Sequence, residues 1–254
     1  MSEEVVLTVS ESKRLIAKGV TKLPEVKRTL ECGIIALAKG TTNRYIAEEL
    51  LGENLSRYPY AHIVVSPGEK GGIQLDEDID EIVLVRGKPR KITLQQATML
   101  MKKGDIFVKG GNLLNYDKGK VGILSGTLDG GTIGRAMGSI LARRITLLIP
   151  IGLEKSVSED IDELSLELGR ADLQTVIFPV RGKIFTEIEA LRCLAGVRAF
   201  QIGAGGILGA EGSVRLALEG SADELRLARE AIHSIRGERP YSWVGSMGNA
   251  RWGK

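Results

Sequence analysis

The sequence predicts an α/β protein with a Rossmann-like, mostly parallel sheet and a smaller ferredoxin-like α+β lobe. Short apolar runs alternate with helical segments over roughly the first 150 residues, an order typical of parallel sheets. The abundance of glycine, 32 residues, indicates many tight turns between these segments. After about residue 170 the order changes to βαββαβ. We therefore assign residues 1–170 to the Rossmann-like core domain and residues 171–254 to the lobe and tail.

The first elements of the core domain carry recognisable start and stop signals. Ser10 precedes an apolar-periodic stretch, and Pro24 suits the first turn of a second helix because its φ is already helical. Residues 33–38 form a continuous apolar run, typical of a strand buried on both faces. A helix then follows Asn43 and ends at Gly52.

The remaining core elements follow the same alternation. Further strands are expected at residues 61–65, 81–86, 105–109, 121–125 and 145–151. Further helices are expected at residues 93–102, 130–143 and 158–169.

The lobe is predicted from a second set of short elements. Its helices are expected at residues 187–194 and 222–235, the latter starting at Ser221, whose hydroxyl suits an N-cap. Its strands are expected at residues 175–180, 197–202, 213–219 and 241–244.

Composition and charge exclude several classes of partner. The net charge of +3 comes from bases interleaved with acids along the chain, so we expect no nucleic-acid partner. The longest apolar run, residues 145–153, is too short to span a bilayer, so we expect no membrane partner.

The cysteines and the start of the chain bear on compartment and cofactors. Cys32 and Cys193 are isolated, which fits a reducing compartment and offers no Cys/His cluster for a metal. The acidic start does not resemble a signal peptide. We therefore expect a cytoplasmic protein without a metal or cofactor.

The first candidate binding loop follows the apolar strand at residues 33–38. It consists of Lys39, Gly40, Thr41, Thr42 and Asn43. Ligands of parallel sheets bind at the carboxyl ends of strands, and the N–H groups at a helix N-terminus attract anions. This loop is a candidate anion site; the alternative is a capped turn without a ligand.

The second candidate loop follows the strand at residues 105–109. It consists of Lys109, Gly110, Gly111 and Asn112. A lysine beside flexible glycine backbone places an ammonium next to N–H donors, which favours a phosphate. The alternative is a surface turn with a solvated lysine.

The third candidate loop joins the strand at residues 121–125 to a helix. Gly130, Gly131 and Thr132 would lie at the helix N-terminus, where they suit an anion. Asp129 either caps this helix or serves as an acid/base group at the ligand. The alternative for the glycines is a tight turn with close helix packing.

A fourth glycine-rich segment, residues 203–212, resembles a dinucleotide fingerprint. A strand is expected after it, whereas that fingerprint requires a helix. We therefore interpret it as a long hairpin turn.

Taken together, these loops resemble the superfamily of ribose 5-phosphate isomerase, glucosamine 6-phosphate deaminase and CoA transferases. The Lys39-Gly40-Thr41-Thr42 turn is similar to the family's first loop, which binds the sugar phosphate. The segment from Phe107 to Asn112 is similar to the isomerase's Lys-Gly-Gly-Gly-Gly segment, whose lysine lies in the active site. The isomerase's glutamate base after that segment has no counterpart here, since Asp117 and Lys118 stand at that place.

The resemblance implies a cytoplasmic homo-oligomer that binds a small anionic or phosphorylated ligand. It implies an isomerase-like activity on a phosphorylated sugar, with Lys109 as a candidate catalytic residue, and the third loop adds Asp129 as the candidate acid/base group. Two alternatives remain: a ligand sensor of the same fold without catalysis, and an assembly subunit.

Overall fold

The computed structural model describes residues 1–55, 60, 81–171 and 176–240. Its strands are β1 (Ser2–Leu7), β2 (Ile34–Leu37), β3 (Ile82–Val85), β4 (Lys88–Arg90), β5 (Ile106–Val108), β6 (Leu113–Asn115), β7 (Lys120–Ser125), β8 (Thr146–Pro150), β9 (Val176–Val180), β10 (Lys183–Phe185), β11 (Arg198–Ala204) and β12 (Val214–Glu219). Its helices are α1 (Val9–Lys22), α2 (Pro24–Cys32), α3 (Thr41–Leu51), α4 (Leu94–Leu100), α5 (Gly131–Ala142), α6 (Ile161–Arg170), α7 (Glu187–Ala195) and α8 (Ala222–His233), with a 3-10 turn at Leu153–Lys155.

A mixed six-stranded sheet lies at the centre, in the order β10-β8-β5-β2-β3-β4. Strands β10, β8, β5 and β2 are parallel. Strands β3 and β4 extend this sheet in antiparallel pairs. The carboxyl ends of the parallel strands therefore meet along one edge, where ligands of such sheets bind.

Two smaller antiparallel sheets flank this arrangement. One has the order β6-β7-β9 and the other the order β1-β12-β11. The prediction of a mixed α/β protein with a mostly parallel main sheet is thus confirmed. In the described part of the chain, no helix is long and apolar enough to cross a membrane.

Most helices begin and end near the residues that the sequence predicted, because their capping residues act locally. Thr93 and Ser221 each form a capping box, with Gln96 and Glu224 respectively, because their hydroxyls accept the N–H of the third helical residue. Pro24 opens α2, and Gly52 ends α3 in the left-handed conformation that glycine adopts without strain.

Strand pairing differs from the prediction in two places of the core. The strand expected at residues 81–86 is antiparallel to β2, and its other partner, β4, follows through a short turn at Arg86 and Gly87. The strand expected at residues 121–125 pairs with β6 and β9 instead of joining the main sheet. The Rossmann-like assignment is therefore not confirmed beyond its parallel strands.

The ferredoxin-like assignment is not confirmed either. The strand expected to open the lobe, at residues 175–180, pairs with β7, and the N-terminal strand β1 pairs with β12. Strand β10 joins the main sheet. The hairpin expected around residues 203–212 is confirmed, because β11 and β12 pair directly across it. The domain boundary near residue 170 stays a prediction, and the strands expected at residues 61–65 and 241–244 lie outside the described residues.

One core of buried apolar side chains connects these sheets. It extends from Val5 in β1 to Ile235 after α8. Helices α1 and α7 approach closely at Gly19, where an added Cβ would lie 2.7 Å from Ala190 Cα. This contact holds α7 against α1 and so fixes the position of the first residues of α7 at the edge described next.

Candidate functional site

The three candidate loops meet around one cavity with a volume of about 230 Å³. Two of them follow the parallel strands β2 and β5, and the third follows β7. The predicted residues that line the cavity are Lys39, Gly40, Thr41, Thr42, Asn43, Lys109, Gly110, Gly111, Asn112, Gly130, Gly131 and Thr132. Among the predicted site residues, Asp129 is not part of the lining.

The first loop is held in place by Asn43. Its fully buried side-chain amide donates to Ala38 O at 2.7 Å and to Val108 O at 3.3 Å, so it ties the ends of β2 and β5 together. Its Oδ1 is buried and has no hydrogen-bond partner among the residues that the structure describes. No side chain caps α3 at Gly40, so the first N–H groups of this helix remain available to a ligand.

The second loop packs tightly against β7. A Cβ at Gly111 would lie 2.2 Å from Val121 Cγ1, so only glycine fits there. Asn112 anchors the loop, because its N–H donates to Gly122 O at 2.8 Å and its Oδ1 accepts from Leu124 N at 3.0 Å. Packing therefore accounts for Gly111, while the Lys109 side chain lines the cavity.

In the third loop, Asp129 stands one residue before Gly130, the N-cap of α5, and accepts the N–H of Gly131, close to the capping role that the sequence gave as an alternative. Its Oδ1 accepts from Gly131 N and from Thr127 Oγ1, both at 2.9 Å, and its Oδ2 pairs with Arg135 Nε at 2.9 Å. The N–H of Gly131 and these neighbours hold the pKa of Asp129 below its usual value. A carboxylate stabilised in this way is a weak base.

Lys155 is a cavity residue that the sequence analysis did not select. It lies in the 3-10 turn after β8, and its Nζ donates to Gly111 O at 3.1 Å. Lys155 follows a parallel strand and lies at the same edge of the sheet as Lys39 and Lys109. This position in the sequence could have identified it as a site residue. Ser125, Thr127 and Arg135 also line the cavity and were not selected.

The lining carries a marked excess of positive charge. Lys39, Lys109, Arg135 and Lys155 line the cavity, and no Asp or Glu does so within the described ranges. Burial, and after it the neighbouring charge of Lys155, lowers the pKa of Lys109 to about 8. Such a cavity attracts anions and disfavours cations.

A buried charged cluster lies behind Lys155, away from the lining. Glu154 Oε1 is 4.0 Å from Lys155 Nζ, and the fully buried Glu187 accepts the Leu153 N–H at 3.0 Å. Burial, and then the charge of Glu154, raises the pKa of Glu187 to about 7. Burial, and then Lys155, lowers the pKa of Lys13 to about 8.

Comparison with protein-family models, with curated proteins and with solved structures finds no match to this chain. Groups of three or more metal-binding side chains are also not found in the described part of the chain. The side chains of the cavity are therefore the basis for proposing a function.

Proposed function

We propose that this protein binds a small phosphorylated sugar, or a related anion, and acts on it as an isomerase-like enzyme. One observation carries the proposal: four cationic side chains and the uncapped N-terminus of α3 surround a cavity whose described lining has no carboxylate. Positive charge and free N–H donors both favour the binding of a phosphate group.

The phosphate is proposed to bind at the first loop. Thr41 and Thr42 lie in the first turn of α3, so their hydroxyls and N–H groups are donors at the positive end of the helix dipole. Lys39 adds a cation at the same place. The volume of about 230 Å³ lies below the range of pockets that enclose drug-sized molecules, which favours a small sugar phosphate over a dinucleotide.

Lys109 is the proposed acid/base group. Isomerisation between an aldose and a ketose needs a group that moves a proton between adjacent carbons, and its pKa should lie near the working pH. The pKa of Lys109, about 8, meets this requirement, whereas the pKa of Asp129 is lowered. The fixed ammonium of Lys155 is suited to stabilise negative charge that develops on a substrate oxygen.

A sensor without catalysis is the second candidate. It is favoured by the capping role of the Asp129 carboxylate, which leaves the described lining without a carboxylate base. Ligand binding without turnover would support the sensor over the isomerase-like enzyme.

We also propose that the protein is a cytoplasmic homo-oligomer, as the family resemblance implies. The neighbouring helices α4 and α5 leave Met99, Leu100 and Leu141 more than half exposed, at 63%, 63% and 70%. Exposed apolar side chains on adjacent helices are consistent with an interaction surface. Light scattering in solution tests this proposal, and a monomer at all concentrations would contradict it.

A thermal-shift screen tests the proposed ligand class. The panel contains ribose 5-phosphate, glucosamine 6-phosphate, inorganic phosphate, nucleotides and acyl-CoA. A ligand at about 100 times its Kd should stabilise the fold by about 2.7 kcal/mol. Lys39→Met should abolish the shift, whereas Lys103→Met, an exposed lysine before β5 at the opposite edge of the sheet, should retain it. No shift with any phosphorylated compound would contradict the proposal.

A further inference from the structure

The two lysines that follow β5 and β8 are held differently, although both line the cavity. Lys155 donates to Gly111 O at 3.1 Å and lies 4.0 Å from Glu154 Oε1, so its ammonium is fixed by a backbone oxygen and a carboxylate. The Lys109 side chain makes no hydrogen bond or ion pair with the residues that the structure describes, and its backbone N–H donates to Leu148 O at 3.0 Å. One lysine is thus a fixed cation, whereas the other lines the cavity without a side-chain bond to the described residues.

The surroundings of Lys109 favour its neutral form. Two charged groups act on it: Lys155, after β8, disfavours a second positive charge, and Glu81, before β3, acts weakly in the opposite direction. Burial is the largest cause of its lowered pKa, about 8. A lysine that is desolvated and lies beside another cation is an activated nucleophile, because a useful fraction of its amine is unprotonated near neutral pH.

We propose that Lys109 is a nucleophile that forms an imine with the carbonyl carbon of a phosphorylated aldehyde or ketone held in this cavity. The proposal rests on the proposed function, since it relies on the first loop to bind the phosphate, and it gives Lys109 a covalent role in place of the acid/base role. It assigns Lys155 as a positioning residue that keeps the Lys109 amine reactive. It narrows the ligand class to compounds that carry both a phosphate and a free carbonyl group.

The reaction balances without any further reactant. The neutral Lys109 amine attacks the carbonyl carbon, a C–N bond forms, and the carbonyl oxygen takes up a proton to give a carbinolamine. The C–O bond then breaks, and the oxygen leaves as water after a second proton transfer. In total, the amine, the carbonyl group and one proton react to give the iminium and one water molecule. The iminium withdraws electrons from the adjacent carbon and so acidifies its C–H bond.

Reductive trapping tests this proposal on the full chain. The protein is incubated with glyceraldehyde 3-phosphate and sodium cyanoborohydride, and the modified lysines are located by peptide mass spectrometry. We expect the reduced adduct chiefly at Lys109, and much less of it there with unphosphorylated glyceraldehyde. Lys109→Arg keeps the positive charge and cannot form the adduct, so this adduct should be absent, whereas Lys103→Arg, at an exposed site, should retain the adduct at Lys109.

The pH dependence of trapping separates a nucleophile from a merely accessible lysine. The rate of trapping at Lys109 should rise with pH around a midpoint near 8. Lys155→Met removes the neighbouring cation, so this midpoint should move to higher pH. An unchanged midpoint would remove Lys155 from the proposed positioning role.

The failure of the imine proposal is distinguishable from the failure of the proposed function. If adducts form only on exposed lysines while inorganic phosphate still stabilises the protein, the imine proposal is overturned and the anion site stands. If phosphate gives no stabilisation and Lys109 is not modified, both are overturned.

Discussion

The Lys155 ammonium donates a hydrogen bond to the Gly111 carbonyl oxygen at 3.1 Å, and this bond joins the loop after β8 to the loop after β5. The two residues are 44 positions apart in the chain. The contact places a fixed positive charge beside Lys109 and ties the buried cluster of Glu154 and Glu187 to the cavity wall.

Replacing Lys155 by Met should weaken the binding of inorganic phosphate. The substitution removes one of the four cationic side chains that line the cavity, so the attraction for the anion is weaker and the Kd should rise. Titration calorimetry measures the change, with Lys103→Met as the control for a lost surface charge. Equal Kd values for the wild type and Lys155→Met would exclude Lys155 from the anion site.

Replacing Gly111 by Ala should destabilise the fold. The added Cβ would lie 2.2 Å from Val121 Cγ1 and 2.8 Å from Ile151 Cδ1, and overpacking of this kind costs about 1–3 kcal/mol. Gly126→Ala is the matched control, because a Cβ there meets nothing within 4 Å. Urea denaturation compares the two free energies of unfolding; similar values would show that the loop after β5 adjusts freely.

Replacing Asn43 by Ala should also destabilise the fold, for a different reason. The substitution leaves Ala38 O without the Asn43 amide, while Val108 O keeps the Ala38 N–H, and a buried group that loses its partner costs about 1–3 kcal/mol. Gln95→Ala, at an exposed site of α4, should change stability by less than about 0.5 kcal/mol. If Asn43→Ala unfolds at the same urea concentration as Gln95→Ala, Asn43 does not tie the strand ends together.

The free energy of unfolding of the wild type should decrease as the pH rises from about 4.5 to about 7. The folded state raises the pKa of Glu187 from 4.5 to about 7, so the folded protein binds more protons than the unfolded chain in this window. The groups that act on Glu187 are Glu154, the Leu153 N–H and the Ser12 hydroxyl.

Glu187→Gln removes this titration. Its free energy of unfolding should lack the decrease contributed by Glu187 and should exceed that of the wild type above pH 7. Urea denaturation at several pH values measures both curves. Parallel curves for the two proteins would show that Glu187 does not titrate in this window.

Replacing Asp129 by Asn separates the capping role from a catalytic role. The side-chain oxygen still accepts the Gly131 N–H, while the ion pair with Arg135 is lost, so the melting temperature should fall only slightly. Phosphate binding should be unchanged. Once a substrate is known, a large loss of kcat in a well-folded Asp129→Asn variant would restore Asp129 as an acid/base group.

Much of the site was predictable from local sequence patterns. The loops at Lys39 and Lys109 were recognised because a buried apolar run followed by glycine and a polar side chain marks the end of a parallel strand. The helix starts at Thr93 and Ser221 were equally local, since a capping box joins residues three positions apart. These signals depend on few neighbours, so they are readable along the chain.

The features that sequence reasoning missed all depend on contacts between distant residues. The pairing of β1 with β12, the antiparallel direction of β3 and the place of β7 outside the main sheet follow from the choice of partner, which no short pattern specifies. The roles of Lys155 and Glu187 also depend on contacts between residues that are distant in the sequence. Residues far apart in sequence acquire shifted pKa values only when folding buries them and brings their charges together, so local chemistry predicted the loops and long-range packing determined their electrostatics.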